Sequence, residues 1–301
     1  MLAVKKVSWI PTILLLACAT TSCVTSEVYK AVKIVTPADA GLNTPECVLH
    51  DVEADIYLVS NINGSPHGTD KAGFISRVAP SGKILDLKWI DGSAEGITLN
   101  APKGLAIVGN TLYAADVNAV RKFDRVSGKP TGVIDFKGAS FLNDLASGPD
   151  GKVYVSDSGS GSDKKAPRTD AVYEISPDDS VKALSQGKEV PSPNGLLVTA
   201  NGLLVCTWSS GELLWARARE GRERLVAKLP KNQLDGIVVD KDGSLLITSW
   251  AGECVYRFKF PQGATVAIEG LKEPADPGWD AKRGRLLIPH FKEHKLTIIT
   301  P

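Results

Sequence analysis

One pattern recurs six times along the chain and constrains its fold more than any other feature. Each copy is a short apolar run, a polar turn and a second apolar run, as in NGLLVTANGLLVCTW from Asn194. Here Asn201-Gly202 is predicted to form the hairpin turn, whereas Asn194-Gly195 begins the first strand. The copies begin at residues 46, 103, 143, 194, 235 and 276, and most continue with two further strand-like segments. A period of about 40 residues with four strands in each unit predicts an all-β, six-bladed β-propeller.

The two ends of the repeat predict how the ring closes. The sixth copy stops after KLTIIT with three strands, whereas AVKIVT at residues 31–36 stands alone before the first copy. Pairing this strand with the last blade removes two exposed sheet edges, which otherwise promote aggregation. We therefore expect an N-terminal strand to complete blade six. The predicted propeller spans residues 45–301, and residues 19–44 form a tether and the closing strand.

The first 18 residues are typical of an export signal. Lys5 and Lys6 precede the apolar run VSWIPTILLLA, which is shorter than the roughly 20 residues of a membrane span. The run ends in Leu-Leu-Ala-Cys, which is similar to a bacterial lipobox, so we predict lipidation of Cys18. The protein would then lie in the periplasm or on the outer membrane, with the lipid as its only membrane contact. Ordinary cleavage nearby, after Ser22, is the alternative and would give a secreted soluble protein.

Composition and short motifs narrow the classes of partner. The formal net charge is +1, which gives no electrostatic attraction to nucleic acid, so we expect a small-molecule ligand instead. Phosphate-binding loops, nucleophile elbows and zinc-protease motifs are absent from the sequence. Cys47, Cys206 and Cys254 lack metal-ligand spacing, and we expect them to be buried apolar thiols.

In such a propeller two sets of residues meet at one mouth. The first residue of each inner strand is polar in all six copies although an apolar strand follows: Glu46, Lys103, Asn143, Asn194, Asp235 and Asp276. The ends of the antiparallel second strands follow 13 to 15 residues later: Asn61, Asp116, Asp157, Trp208, Trp250 and His290. Carboxylate and amide oxygens around one axis suit a hard cation, chiefly calcium. Polar residues at strand starts also commonly bond only to the neighbouring backbone.

Four segments resemble the senescence marker protein/gluconolactonase (regucalcin-like) family. PECVLHD, FLNDLASGPDGKVYVSD, PNGLLVTANG and LDGIVVDKDGSLLITSW are similar to its Glu-containing, Asn-Asp, Asn-Gly-Leu and Asp-Gly motifs. The resemblance covers residues 45–301 and implies a six-bladed propeller, distantly similar to paraoxonases, that hydrolyses lactones with a divalent metal. It implies that Glu46, Asn194 and Asp235 bind the metal and that Asn143 contacts the metal or the substrate. It also implies that Asp235 is a catalytic acid or base.

Two residues depart from that family's pattern. Many members have an Arg two residues before the Asn of the Asn-Asp motif, where this chain has Phe141. This difference argues against a sugar lactone and favours a less polar substrate. Lys103 adds a cation to the mouth, where it would pair with Asp116 or Asp276, hold a substrate carboxylate, or take the place of the metal.

The remaining candidates for substrate contact have structural alternatives. Trp208 and Trp250 form either a stacking wall over the site or packing between blades four and five. Asp157 and Asp276 either assist at the mouth or are structural carboxylates. His290 is a candidate proton carrier. Two long Gly- and Ser-containing loops at residues 61–73 and 157–170 are candidate lids or mobile surface loops.

Two functions from different classes therefore compete. The first is a metal-dependent hydrolase of lactones or related esters. The second is a non-catalytic propeller with NHL-like repeats that binds a ligand or a protein partner in the cell envelope. The metal-ligand positions favour the first function, whereas Phe141 and Lys103 favour the second.

Overall fold

A computed structural model describes residues 32–37, 39–159, 167–216 and 224–300. The predicted signal peptide, the lipidation site Cys18 and the tether up to residue 31 lie outside the described residues. Within the described ranges, no helix is long and apolar enough to cross a membrane.

The described residues form six four-stranded antiparallel sheets, which are the blades of a ring. Blades 1 and 2 contain β2 (Pro45–Asp51), β3 (Ile56–Asn61), β4 (Phe74–Val78), β5 (Ile84–Asp91), β6 (Pro102–Val108), β7 (Thr111–Asp116), β8 (Ala119–Asp124) and β9 (Pro130–Asp135). Blades 3 and 4 contain β10 (Leu142–Ser147), β11 (Val153–Asp157), β12 (Ala171–Ile175), β13 (Val181–Gln186), β14 (Pro193–Thr199), β15 (Gly202–Thr207), β16 (Glu212–Ala216) and β17 (Arg224–Lys228). Blades 5 and 6 contain β18 (Leu234–Val239), β19 (Leu245–Ser249), β20 (Cys254–Lys259), β21 (Gly263–Glu269), β22 (Gly278–Asp280), β23 (Arg285–His290), β24 (Lys295–Thr300) and β1 (Val32–Val35). The predicted six-bladed propeller is confirmed.

The hydrophobic core lies between the blades. Six clusters of buried side chains each join two neighbouring blades around the ring. Between blades 1 and 2, for example, Leu58 and Ile75 pack with Leu112 and Phe123. Burying each such side chain contributes about 1.5–3 kcal/mol to stability. The blades are thus held at fixed positions around the axis, which fixes the positions of their inner strands.

The N-terminal strand closes the ring as predicted. β1 pairs antiparallel with β24, with Lys33 opposite Ile299 and Val35 opposite Thr297. Thr36 extends the contact, because its backbone N–H donates to the Leu296 carbonyl over 2.9 Å and its hydroxyl accepts from the Leu296 N–H. Blade 6 therefore takes its outer strand from the opposite end of the sequence.

A β-bulge interrupts the start of the inner strand in five blades. The pairing with the second strand shifts within the first four residues of β2, β6, β10, β14 and β18. A bulge bends the strand and redirects a side chain. The residue just after the first paired position lies in the bulge each time, namely Glu46, Lys103, Asn143, Asn194 and Asp235.

The inner strands approach each other closely next to these bulges. A Cβ added at Gly195 would lie 2.4 Å from the carbonyl oxygen of Asp235. A Cβ added at Gly236 would lie 1.9 Å from Asp276 Oδ1. Since real Cβ atoms do not approach so closely, only glycine fits at these two positions. Close packing at the axis brings the five bulge residues into one small region.

Candidate functional site

All five bulge residues line one cavity at the mouth of the propeller. The cavity has a volume of about 460 Å³. Four of its polar residues, which we call the polar floor, come from blades 1, 3, 4 and 5: Glu46, Asn143, Asn194 and Asp235. The residues predicted to hold a metal are therefore brought together.

Three oxygens of the polar floor are buried without a hydrogen-bond partner among the described residues. They are Glu46 Oε2, Asn143 Oδ1 and Asp235 Oδ1. The Asn143 amide is held from its other side, because its Nδ2 donates to Ser158 Oγ over 3.1 Å. Ser158 in turn donates to the Pro193 carbonyl over 2.7 Å. Buried polar atoms are rarely left unsatisfied, so these three oxygens are available to a ligand.

Burial destabilises the charged form of both carboxyl groups of the floor. Burial raises the pKa of Glu46 well above its usual value, and the charge of Asp235 adds to the rise while Lys103 lowers it. Burial raises the pKa of Asp235 to about 7; Asp144 adds to this rise, and the Trp250 and Asn194 side chains oppose it. A bound cation would favour the charged form of both groups.

The chemistry of the polar floor fits a hard cation. It offers two carboxylates and two amide groups, and oxygen donors of this kind are the ligands that calcium prefers. In the described part of the chain, no group of three or more His, Cys, Asp and Glu residues is placed to hold a metal ion. The amide oxygens of Asn143 and Asn194 would therefore have to complete the coordination. Metal binding and the identity of the metal stay predictions.

Lys103 lies on the cavity wall and forms no ion pair within the described residues. The side chain is only 1% exposed, and its Nζ donates to the Ala101 carbonyl over 2.9 Å. The ammonium also lies 4.5 Å from the centre of the Phe141 ring. Burial lowers its pKa to about 8, although Glu46 and Asp116 act in the opposite direction. Among the ion pairs of the described residues, Lys103 has none with Asp116 or with Asp276.

Three aromatic side chains form another side of the cavity, which we call the aromatic wall. Trp208 and Trp250 meet edge to face with ring centres 5.1 Å apart, and Trp250 and Phe291 are also 5.1 Å apart. All three rings line the cavity. The two tryptophans therefore both pack across blades 4 and 5 and face the site. Trp250 Nε1 is buried at the cavity, and its interaction with the Asp235 side chain helps to lower the pKa of that carboxyl group.

Asp157 and His290 do not line the cavity. Asp157 Oδ1 accepts backbone N–H groups of Phe141, at 2.9 Å, and Gly159, at 3.0 Å. It thereby fixes the segment that enters its own blade. His290 Nε2 lies 2.9 Å from Thr297 Oγ1 in the interior of blade 6, and burial lowers its pKa to about 4. The positions of Asp157 and His290 therefore do not support the prediction that these residues contact the substrate.

Asp276 lies deeper along the axis, outside the cavity lining. It forms an isolated parallel bridge with Cys47, and it borders a separate channel pocket together with Asp144. Burial raises its pKa well above the usual value, and the charges of Asp144 and Glu46 add to this. The sixth inner strand starts only at Gly278 and lacks the bulge of the other five. Asp276 is therefore not equivalent in position to the five bulge residues.

Two charged or ionisable residues of the site were not predicted from the sequence. His67, from the loop at residues 61–73, lines the cavity and packs against Phe141, with ring centres 4.6 Å apart and the ring planes tilted by 52°. Arg168 also lines it and donates to the Ser158 carbonyl over 2.8 Å and to Ser192 Oγ. Both belong to the two long loops that the sequence indicates as candidate lids or mobile surface loops. The repeat cannot locate them, because such loops occur in single blades only.

The described cysteines match their prediction. Cys47, Cys206 and Cys254 are buried free thiols. Burial raises the pKa of all three, so they are neutral side chains of the interior.

Comparison with known sequences identifies the family. The SMP-30/gluconolactonase/LRE-like region matches residues 46–274. The chain belongs to this family. The match begins at Glu46 and extends through blade 5, so the resemblance drawn from the four motifs is confirmed. None of the curated protein sequences matches the chain.

Solved structures with the same fold carry different activities in their names. A gluconolactonase from Xanthomonas campestris superposes with a TM-score of 0.69 at 20% identity, covering 93% of each chain. A luciferin-regenerating enzyme has a TM-score of 0.64 at 14% identity, covering 89% of this chain and 95% of the other. A virginiamycin B lyase from Staphylococcus aureus has a TM-score of 0.58 at 13% identity, covering 89% and 99%. At these identities the likeness establishes the fold alone.

Proposed function

We propose that this protein is a metal-dependent hydrolase of lactones or related esters, with calcium as the metal, acting in the cavity at the propeller mouth. One observation carries the proposal: buried oxygens of Glu46, Asn143 and Asp235, from three different blades, face one cavity and have no hydrogen-bond partner in the described part of the chain. Membership of a family that includes gluconolactonases supports the choice of lactones.

The polar floor would hold the cation. Glu46 and Asp235 supply negative charge, and Asn143 and Asn194 supply neutral amide oxygens. The hydrogen bond from Asn143 to Ser158 keeps the amide oxygen of Asn143 free for this purpose. When bound, a divalent cation polarises an ester carbonyl and stabilises the negative charge that develops on its oxygen.

Asp235 is proposed to move the proton. One of its carboxylate oxygens would accept a proton from the attacking water and return it to the alkoxide oxygen of the opened ring. Burial raises the pKa of Asp235, whereas a bound cation would favour its ionised form, so Asp235 would act first as a base. The Trp250 side chain lies on the same cavity and, through its interaction with the Asp235 carboxyl group, would hold that group in position.

The cavity walls support a substrate with an apolar body. Phe141 occupies the position at which many relatives have an arginine, and the aromatic wall faces the same space. Rings of this kind bind apolar and flat groups well and offer few hydrogen bonds to the hydroxyls of a sugar. We therefore propose aliphatic or aromatic lactones as substrates in preference to sugar lactones.

Hydrolysis of a lactone panel tests the proposal. Purified protein with added Ca²⁺ is expected to open apolar lactones, measured by proton release, and Asp235→Asn is expected to lower kcat by at least about 100-fold. Asp135→Asn, at an exposed position of β9, is the matched control and should retain activity. Hydrolysis of sugar lactones alone would contradict the substrate assignment. No hydrolysis of any lactone would favour the non-catalytic binding propeller.

We also propose export with a lipid anchor on Cys18. The basic and apolar segments before Cys18 support this proposal. Labelled palmitate is expected to be incorporated into the wild-type protein and not into Cys18→Ala. An unlabelled mature protein that begins elsewhere would contradict lipidation and support a secreted soluble form.

A further inference from the structure

Lys103 is a buried cation that forms no ion pair with any carboxylate among the described residues. The carboxylate of Asp116, beside Lys103 in blade 2, already has other partners. Its Oδ1 accepts a hydrogen bond from the Ala101 N–H over 2.8 Å, and its Oδ2 pairs with Arg121 over 3.0 Å. An ammonium group has three donors, and the Ala101 carbonyl takes one of them. Two N–H donors of a buried charge on the cavity wall are left for a ligand.

The balance of charges in the cavity indicates that this ligand is negatively charged. Glu46 and Asp235 are the only carboxyl side chains in the described lining of the cavity. A divalent cation on the polar floor neutralises the two carboxylates, and the positive charge of Lys103 then remains. The other cation of the lining, Arg168, is paired with Asp170 at 2.7 Å. The metal-loaded cavity therefore carries one uncompensated positive charge, and burial makes such a charge costly unless an anion joins it.

The surroundings of Lys103 define the body of the ligand. Its ammonium lies against the face of Phe141, and His67 packs against that ring at a tilted angle. The aromatic wall lines the same cavity. An anionic group at Lys103 would thus project from a ligand whose remaining surface contacts aromatic rings.

We propose that Lys103 is a specificity residue that binds an ionised carboxylate of the substrate, so that the preferred lactones or esters have an apolar or aromatic body and one negative charge. This inference rests on the proposed function, because the balance of charge requires a divalent cation on the polar floor. It adds the substrate's charge to what the family and the fold indicate.

Binding of a matched pair of non-hydrolysable probes tests the inference. Phenylacetate and phenylacetamide have the same shape and differ in charge. With saturating Ca²⁺, the wild-type protein is expected to bind phenylacetate at least about tenfold more tightly, as measured by calorimetry and by quenching of tryptophan fluorescence. In Lys103→Met, which keeps the length of the side chain, the two probes should bind alike. Lys182→Met, at an exposed position of β13, should keep the preference.

The outcomes separate this inference from the proposed function. A calorimetric titration with Ca²⁺ alone comes first, and the absence of binding there contradicts the proposed function. If Ca²⁺ binds but the wild-type protein shows no preference for phenylacetate, only the inference fails, and this holds even if Lys103→Met does not fold. A preference that persists in folded Lys103→Met or Lys103→Gln would assign the carboxylate to the bound cation and overturn the role of Lys103.

Discussion

At the scale of single residues, Ser158 determines how Asn143 presents its oxygen. Its hydroxyl accepts from Asn143 Nδ2 and donates to the Pro193 carbonyl of the next blade. The hydroxyl thus holds the amide in one orientation and links blades 3 and 4 at the site. Loss of a residue that orients a metal ligand typically lowers metal affinity by about 10–100-fold.

Removing this hydroxyl is expected to weaken calcium binding. In Ser158→Ala the amide of Asn143 loses its orienting partner, and the dissociation constant for Ca²⁺ should rise by about 10–100-fold. Calorimetric titration measures this change. Ser81→Ala, at an exposed turn, is the control. Equal affinities in Ser158→Ala and the wild-type protein would show that Ser158 does not orient a ligand.

The sequence predicts the residues of the polar floor well, because each occupies the same position of a repeated unit. It is less informative for the second-strand residues. Asp157 occupies the same position in its blade as its equivalents, yet its carboxylate accepts hydrogen bonds from backbone N–H groups and does not face the cavity. These hydrogen bonds depend on the conformation of the neighbouring loops, which the period of the repeat does not predict. His67 and Arg168 escape prediction for the same reason, since non-repeated loops bring them to the site.

At the scale of elements, the bulged inner strand is the unit that builds the site. The period of the sequence predicts four strands per blade and the closing strand at residues 31–36. It does not predict the bulges, because hydrophobic alternation is short in these strands and a bulge adds one residue locally. The glycines that follow Asn194 and Asp235 are the sequence feature that indicates the bulges.

Filling the space beside a bulge is expected to destabilise the propeller. In Gly236→Ala the new Cβ would collide with Asp276 and Pro277, and the free energy of unfolding should fall by about 1–3 kcal/mol. In the control Gly132→Ala, the Cβ meets only the flexible end of Lys122, and the change should stay within about 0.5 kcal/mol. Denaturant unfolding measures both. Equal stabilities would contradict the close approach of the inner strands.

The closing strand is expected to be needed for solubility as well as stability. A chain that starts after Pro37 lacks β1 and exposes the edge of β24, whereas a chain that starts at Glu27 retains the pairing. The shorter chain should melt at a lower temperature and aggregate, because an unpaired strand edge associates with other chains. Thermal unfolding and light scattering compare the two. Identical behaviour would show that β1 does not hold the ring closed.

At the scale of the whole molecule, buried carboxyl groups cluster around the axis of the propeller. The pKa of Asp144 and that of Asp235 are both raised to about 7, chiefly by burial. A carboxyl group with a raised pKa holds its proton in the folded state when the unfolded chain has already lost it. Stability of the metal-free protein should therefore fall as the pH rises from about 4 to 7. A cation reverses this trend, since its ligands must be ionised.

The stabilisation by calcium is expected to grow with pH. At 100-fold excess over the dissociation constant, Ca²⁺ should raise the Tm on the order of 5 °C at pH 8. The gain should be much smaller at pH 5, where protons compete for Glu46 and Asp235. Calorimetric melting with Ca²⁺ and with a chelator measures the difference. A gain that is independent of pH, or that persists in Asp235→Asn, would place the cation elsewhere.

The central claim is that one cation binds on the polar floor, beside the aromatic wall. Terbium is a luminescent substitute for calcium, and Trp208 and Trp250 lie close enough to the floor to sensitise it, since they line the same cavity. Excitation of tryptophan in the wild-type protein should produce terbium emission that saturates at one ion per chain and disappears on addition of Ca²⁺. Glu46→Gln/Asp235→Asn should show no such emission. Absence of sensitised emission in the wild-type protein, or unchanged emission in the double variant, would contradict the claim.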